Sequence, residues 1–416
     1  MYMYKEEDMQ KRKIISIIVT MALFLFQAPV MAGEMDMLVD KLVEKGVLSR
    51  KDGDLILSVQ KAEKDKETKD IVSTLALPNF IKNTQFKGDF RLRYESGERD
   101  GNSDRHRGRY RYRLGFVTKL DDQFEVGYGL ASGSNDPRST NQSFTNSFET
   151  PDIRLDYAYA SYKPKSLAWL QLLGGQMPNP LWLPGGSYLW DSDIRPQGVS
   201  ALMNRKFDGF ELFMTSGFWI IDEISSRSDD PVMWVAQPGY KVNLGKQAYF
   251  KNAVGLYQFS NVEGTLLDYS SNTNTRDGGV LAEDYDSYVV TGELGYNTGI
   301  AFMPFVSVYG DYVDNRTTSR DDSGYGYGIK IGHEKVKQGL WQAGLAYGRL
   351  ERNAWLDILP DSDTFGGGTN MKAIRANLTY GLRDYIEIAT TYIASEQLRG
   401  ASVDDDVFQL DLVFKF

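Results

Sequence analysis

The sequence contains no cysteine and only two histidines, His106 and His333, among its 416 residues. Without cysteine the chain can form neither a disulfide framework nor a thiolate metal site or nucleophile. Histidine is the usual general base and the commonest metal ligand, so its scarcity argues against most hydrolytic chemistry. The fold must therefore be stabilised by packing and hydrogen bonding, and the composition argues against an enzyme.

Long apolar runs are also missing after the first 32 residues, where no window approaches the roughly 18 apolar residues that a membrane-spanning helix needs. The mean hydropathy is -0.40 and the net charge is -9. Residues 1–32 are typical of a signal peptide, because Lys11, Arg12 and Lys13 precede an apolar run and 30–32 form a small-residue cleavage pattern. We expect export and a mature chain from Gly33, with a retained N-terminal anchor as the alternative.

From Thr84 onwards the sequence has a two-residue period, which is the main evidence for the fold. Even positions between 86 and 94 are mostly apolar: Phe86, Gly88, Phe90, Leu92 and Tyr94. The odd positions are all charged: Lys87, Asp89, Arg91 and Arg93. The segment 109–116 repeats the pattern, with Arg109, Arg111 and Arg113 opposite Tyr110, Tyr112 and Leu114. Such alternation predicts strands with one face in lipid and the other in water, which average out as polar.

Sixteen segments of this kind can be identified along the chain. They are 86–94, 109–116, 124–130, 153–162, 168–177, 198–206, 207–218, 232–243, 248–259, 285–296, 301–313, 325–334, 340–351, 371–382, 385–396 and 406–416. Tight turns such as 120–122, 163–165 and 296–298 alternate with long polar loops such as 133–151 and 178–197. This predicts an all-β transmembrane barrel of sixteen antiparallel strands over residues 84–416, with turns periplasmic and loops outside.

The chain is rich in aromatic residues and glycine, with 25 Tyr, 21 Phe and 40 Gly. Tyrosine has an apolar body and a polar hydroxyl, which suits the boundary between lipid and water. We therefore expect the following tyrosines near strand ends to form interfacial belts: Tyr94, Tyr110, Tyr128, Tyr157, Tyr327, Tyr347, Tyr380 and Tyr392.

Residues 33–83 are predicted to form a separate helical segment and linker. Leu38, Leu42 and Val43 recur at helical spacing, Gly46 ends the first helix, and a charged run follows the second. One interpretation is a periplasmic helical hairpin with a solvated linker. The other is a contact with the cell wall or with other subunits, because the apolar stripe has no partner within its own segment.

The C-terminal strand ends on Phe414 and Phe416, and it resembles the signal by which the barrel-assembly machinery recognises outer-membrane barrels. The stretches LVDKLVEKGVLSRKDGDLI, FIKNTQFKGDFRLRYE and LWDSDIRPQGVSAL resemble the putative porin family of Gram-negative bacteria. The resemblance implies a sixteen-stranded barrel in the outer-membrane lipid that takes up small hydrophilic solutes passively. It also implies a homotrimer, as in related general porins.

Two groups of residues are candidates for the channel's selectivity. The first is a basic wall on the charged face of the first two strands: Lys87, Arg91, Arg93, Arg109, Arg111 and Arg113. The second is the loop 178–197, which resembles in its placement the third loop that narrows general porins. Its candidate residues are Trp182, Tyr188, Trp190, Asp191, Asp193 and Arg195. We hypothesise that Asp191 and Asp193 face the basic wall and create a transverse field. The alternatives are a wall that merely pairs with acids such as Asp89, and a loop that caps the barrel outside.

Two other classes of function are weaker. A barrel enzyme would need a paired nucleophile and base, for which two histidines offer little. An envelope tether would hold the cell wall through the helical segment and use the barrel as an anchor. We found no pattern for a cofactor or a nucleic acid, and the acidic clusters such as Asp404–Asp406 match no metal-binding loop.

Overall fold

The computed structural model describes residues 79–145 and 147–416. The predicted signal peptide and the helical segment before residue 79 lie outside the described residues. Sixteen strands form the wall: β1 Thr84–Arg99, β2 Arg105–Lys119, β3 Phe124–Ala131, β4 Arg154–Tyr162, β5 Leu170–Gln176, β6 Gln197–Phe207, β7 Phe210–Ile220, β8 Val232–Leu244, β9 Ala248–Ser260, β10 Asp286–Asn297, β11 Phe305–Asn315, β12 Ser323–Gly332, β13 Trp341–Leu350, β14 Met371–Arg383, β15 Ile386–Gln397 and β16 Asp404–Lys415.

The strands are antiparallel, and each pairs with its neighbours in chain order. The wall closes because β1 pairs with β16 as well as with β2, with Phe90 opposite Phe414 and Leu92 opposite Leu412. Closure removes the free edges, so the backbone groups of the strands are paired within the wall, as a bilayer requires. The predicted sixteen-stranded barrel is confirmed.

Short elements accompany the wall. The helical turns are Asn79–Lys82, Lys165–Leu167 and Phe365–Gly367. Gln142–Ser143 pairs with β2, and Arg276–Asp277 pairs with Val280–Leu281. In the described part of the chain, no helix is both long and apolar enough to cross a membrane.

Burial along the strands is the reverse of that in a water-soluble protein. In β1 the apolar side chains of Leu92 and Tyr94 are 39% and 47% exposed, whereas Arg93 is only 6% exposed. The apolar face of β1 therefore points outwards and its charged face points into the lumen. This is the arrangement that the two-residue period predicted.

Turns and loops lie at opposite rims. Connections at the turn rim are 120–123, 163–169, 208–209, 245–247, 298–304, 333–340 and 384–385. The long connections 132–153, 177–196, 261–285 and 351–370 all lie at the opposite, loop rim.

Several strand boundaries differ from the prediction, and two of these differences move a turn. The seventh strand was expected to begin at Phe207, but Phe207 ends β6 and a turn at 208–209 precedes Phe210. The rings of Phe207 and Phe210 pack 6.1 Å apart, so the apolar pattern continues through the turn and hides it. The turn expected at 296–298 lies at 298–304 instead, where the Thr298 amide donates to the Pro304 carbonyl at 2.9 Å.

Tyr157 was expected in an interfacial belt, but it faces the lumen. The pairing of β3 with β4 shifts register between Gly129 and Leu130, which changes the side of the wall to which Tyr157 points. Its ring lies over Gly129 and its hydroxyl over Gly115, where neither glycine has a side chain to block it. The prediction failed because a bulge cannot be read from alternation alone.

Candidate functional site: the narrowed lumen

The loop between β5 and β6, residues 177–196, enters the lumen, and we call it the constriction loop. Its first anchor is Gln237 of β8, which is almost fully buried. The Trp182 amide donates to Gln237 Oε1 at 2.8 Å, and Gln237 Nε2 donates to the Trp182 carbonyl at 3.0 Å. This pair of hydrogen bonds fixes the peptide of Trp182 beside the inner face of the wall.

The second anchor lies at β12 and β13. The Tyr188 hydroxyl is 3.4 Å from the Ala346 carbonyl, and the Arg375 guanidinium lies 4.8 Å from the centre of the Tyr188 ring. A Cβ at Gly348 would collide with this ring, and one at Gly326 would lie 3.6 Å from it. Glycines on the inner faces of these strands therefore make the space that the loop occupies.

Trp190 joins the constriction loop to the loop 351–370. It packs edge-to-face on Trp219 of β7 at 6.2 Å and on Trp355 at 6.1 Å, and all three rings are buried. The Trp355 indole donates to the Leu189 carbonyl at 2.8 Å. The two loops thus share an apolar core inside the barrel.

The two acidic candidates of the loop have different surroundings. Asp191 accepts hydrogen bonds at 2.8 Å from the amides of Asp193 and Ser362. Burial, and then the charge of Asp361, raises the pKa of Asp191 to about 7. Asp193 instead accepts from the Thr140 amide and hydroxyl, both at 3.0 Å. Asp191 therefore faces the loop 351–370 rather than the arginines.

Asp193 also contacts the basic wall. Its Oδ1 lies 3.2 Å from Arg113 Nη1, so one residue of the constriction loop meets one residue of β2. Arg195 turns the other way and pairs with Asp156 of β4 at 3.1 Å. Among the six predicted loop residues, the structure brings only Asp193 into an ion pair with the basic wall.

The arginines of the basic wall are paired with carboxylates. Arg111 and Arg113 share Asp89, at 2.6 and 2.8 Å. Arg109 pairs with Glu95 at 3.0 Å.

The centre of the basic wall is bound to β16. Arg93 binds both oxygens of Asp411, at 2.7 and 2.8 Å, and Arg91 lies 3.6 Å from the same carboxylate. Lys87 is exposed near the turn rim and has no ion pair among the described residues. Most of the positive charge of the basic wall is therefore balanced locally.

Asp363 of the loop 351–370 gives Arg93 a third contact, at 3.1 Å. Burial opposes the ionisation of Asp363, but the charge of Arg93 and hydrogen bonds from Gln409 and Arg93 lower its pKa to about 2. Neither Asp363 nor Asp411 was among the residues predicted from the sequence. Asp411 could have been found from the alternating pattern of the last strand, because it lies on the face opposite to that of Leu410 and Leu412.

These features define a closed membrane barrel with a lumen that is narrowed by loops and lined by charges. A family model described as a putative porin matches residues 97–297 and 280–416. The chain therefore belongs to the putative porin family, whose members are outer-membrane channels for passive diffusion. The localisation in the cell outer membrane follows from the same match.

The chain is similar to several solved structures. Pseudomonas putida OprB is 11% identical with a TM-score of 0.55, and the alignment covers 81% of this chain and 95% of that one. Vibrio cholerae OmpT in its trimer form is 11% identical with a TM-score of 0.46, covering 80% and 99%. A triple mutant of Rhodopseudomonas blastica porin is 10% identical with a TM-score of 0.44, covering 80% and 100%. No curated protein matches the chain.

Proposed function

We propose that small hydrophilic solutes cross the barrel between the basic wall and the two loops 177–196 and 351–370. The observation that carries the proposal is the ion pair between Arg113 and Asp193, which links the wall to the constriction loop. Arg93 and Asp363 repeat the arrangement nearer the loop rim. These ion pairs mark where the loops meet the wall, and the charged side chains that line the lumen beside them would orient dipolar solutes and set ion selectivity.

Charge reversal of the wall tests this route. Replacing Arg109, Arg111 and Arg113 by Glu would place carboxylates beside Asp89 and Asp193 and should shift selectivity strongly towards cations. The measurement is the reversal potential in a salt gradient across a planar bilayer. Lys165→Glu, in an exposed turn, is the control. The single variant Asp193→Asn should shift selectivity towards anions and does not depend on the triple variant folding. Unchanged reversal potentials in both variants would reject the route.

We also propose that the protein is a channel without enzymatic activity. His106 lies on the outer face of β2, with its Nδ1 3.0 Å from the Ser96 hydroxyl. His333 follows β12, with its Nδ1 3.1 Å from the Trp341 carbonyl. Neither contact supplies a nucleophile inside the lumen. The variant H106Q/H333Q should therefore keep the full conductance, and a loss of conductance would contradict the bystander role of both histidines.

We propose further that the protein is a homotrimer with β3, β4 and β5 at the subunit contact. These strands have 8, 9 and 7 residues, which is at or below the lower limit of the roughly 9–11 that a strand needs to cross a bilayer at a tilt. Lipid cannot form hydrogen bonds with the polar groups that lie beyond the ends of these short strands, whereas a second copy of the chain can cover them. Ile153 and Leu155 at this edge are 66% and 57% exposed, beside a cavity of about 840 Å³.

Cysteine cross-linking tests the contact cleanly because the chain has no cysteine of its own. Leu155→Cys should give cross-linked dimers in outer-membrane vesicles. Leu345→Cys on the outer face of β13, which is similarly exposed, should not. Equal cross-linking of the two variants, or none in Leu155→Cys, would contradict the proposed contact.

The last strand supports a role in assembly. The Phe416 amide donates to the Gly88 carbonyl at 3.0 Å, the Gly88 amide donates back at 2.7 Å, and Phe414 packs on Phe90. We propose that the barrel-assembly machinery recognises Phe414 and Phe416 before this strand closes the wall. Phe416→Ser should then lower the amount of protein in the outer membrane while refolding in detergent stays efficient. Normal insertion would contradict the proposal.

Contact with the cell wall through residues 33–83 stays a prediction. Deleting residues 34–70 distinguishes the roles, because a tether would lose envelope integrity whereas a channel would keep its conductance.

A further inference from the structure

A second charged surface lies on the lumen wall away from β1 and β2, near the turn rim. Here the strands from β6 to β10 place five charged residues at one height. The register pairs are Lys206 with Glu211, Glu211 with Lys241, Lys241 with Lys251, and Lys251 with Glu293. Lys241 and Lys251, which we call the lysine pair, are direct cross-strand neighbours in the middle of this row.

Like charges that are directly opposite each other on neighbouring strands are unfavourable unless something compensates them. Within residues 79–145 and 147–416, no carboxylate forms an ion pair with either member of the lysine pair. Glu211 accepts a hydrogen bond from the side-chain amide of Asn204 at 2.5 Å, and Glu293 accepts one from the Tyr249 hydroxyl at 2.7 Å. The neighbouring carboxylates hydrogen-bond to neutral donors and form no ion pair with the lysines, and the row of three lysines and two glutamates keeps one net positive charge.

Aromatic rings surround the lysine pair instead. The Lys251 Nζ lies 4.4 Å from the centre of the Trp182 ring and 4.7 Å from that of Phe213. The Lys241 Nζ lies 4.1 Å from the centre of the Tyr249 ring. Cation–π contacts hold an ammonium group in place, but a ring carries no net charge to neutralise it. The rings also provide apolar surface for an organic group.

Trp182 connects this site to the constriction loop, to which it belongs. The two hydrogen bonds with Gln237 hold its backbone where the loop first meets β8. The lysine pair lies closer to the turn rim than this contact, so it is on the turn-rim side of the loop. The arrangement differs from the basic wall, where Arg93, Arg111 and Arg113 are all paired with carboxylates.

We infer that Lys241 and Lys251, together with Trp182, Phe213 and Tyr249, form a binding site for small organic carboxylates on the turn-rim side of the constriction loop. The ammonium groups would bind the carboxylate, and the rings would contact its organic part. This inference rests on the proposed channel function and specifies its solute class. The basic wall, whose arginines are paired with carboxylates, would orient solutes without retaining anions.

The test is single-channel recording of the complete refolded protein in potassium chloride, with benzoate added on both sides. We expect benzoate to cause concentration-dependent interruptions of the current. Lys241→Met and Lys251→Met keep the apolar stem, and their combination should weaken the block at least tenfold. Lys251→Arg should retain most of it. Lys246→Met, in the exposed turn between β8 and β9, is the matched control and should behave like the wild type.

Several results would overturn the inference. These are an unchanged block in the double variant, an equal block by uncharged benzyl alcohol, and an equal block by inorganic phosphate, which has no organic part. The ohmic current in potassium chloride alone separates the two claims. If wild type conducts but benzoate has no effect, only the carboxylate site fails. If neither the wild type nor any variant conducts in potassium chloride, the proposed channel function itself fails.

Discussion

At the scale of single residues, the lumen is organised by carboxylates that hold arginines. Asp411 binds Arg93 through two short contacts and also lies near Arg91, and all three side chains are buried within the barrel. Removing a charge from water is costly, and pairing repays the cost only when the geometry is good. The arginine side chains are therefore ordered by their partners as well as by the strands that carry them.

This pairing predicts a large effect of Asp411→Asn. The substitution keeps the shape of the side chain but leaves Arg93 with Asp363 as its closest acid, so we expect a loss of about 3–5 kcal/mol in the free energy of unfolding. Urea-induced unfolding in detergent micelles measures the loss. Asp404→Asn, at the exposed start of the same strand, should change stability by less than about 0.5 kcal/mol. Equal effects of the two substitutions would contradict the role of the pair.

Asp191 predicts a dependence on pH. Its pKa is raised from 3.8 to about 7 by burial and by Asp361, so the neutral acid is favoured in the folded state. The folded state consequently loses stability as pH rises through the window between these values. Above about pH 7 the loop also gains a negative charge, and cation selectivity should rise. Reversal potentials between pH 5 and pH 8 should show this step in the wild type and not in Asp191→Asn; a step that persists would refute the assignment.

At the scale of elements, the inner faces of β12 and β13 provide a seat for the constriction loop. The segment SGYGYGIKIG places tyrosines on the lipid side and glycines on the lumen side of β12. Gly348 continues this open surface on β13, where Tyr188 packs. The glycines allow close approach of another segment, which is a common reason for glycine inside a strand.

Gly348→Val should displace the constriction loop. The added side chain collides with the Tyr188 ring, so the loop would leave its position and the single-channel conductance should increase. Gly292→Ala on the outer face of β10 is the control, because an added Cβ there has its nearest neighbour at 3.8 Å. A conductance in Gly348→Val equal to that of wild type, with the variant folded, would show that the loop does not limit the current.

The strands could be predicted from the sequence because the side chains of a strand alternate between the lipid face and the lumen face. The bulge that turns Tyr157 inwards and the turn after Phe207 could not, since both keep the local apolar pattern. The position of the constriction loop depends on Gln237 and Trp355, which are far from it in the chain. Asp193 could be proposed as a partner of the arginines from its charge. The position of Asp191 beside Ser362 could not be foreseen, because it too depends on a residue that is distant in the chain.

At the scale of the whole molecule, the in-folded loops give the lumen two unlike sides. An apolar core around Trp190, Trp219 and Trp355 fills the side next to β7. Charged residues line the side formed by β1, β2 and β16. A route for hydrophilic solutes is expected on the charged side, because water and ions are stable there and not within the apolar core.

The most direct test of this account is the current through the purified, refolded protein in a planar lipid bilayer. A passive channel predicts stepwise conductance that is proportional to voltage at low voltage and persists without any energy source. Liposomes that contain the protein should also swell in small sugars and exclude large ones. A folded, membrane-inserted protein that adds no current above that of the lipid alone would contradict the account.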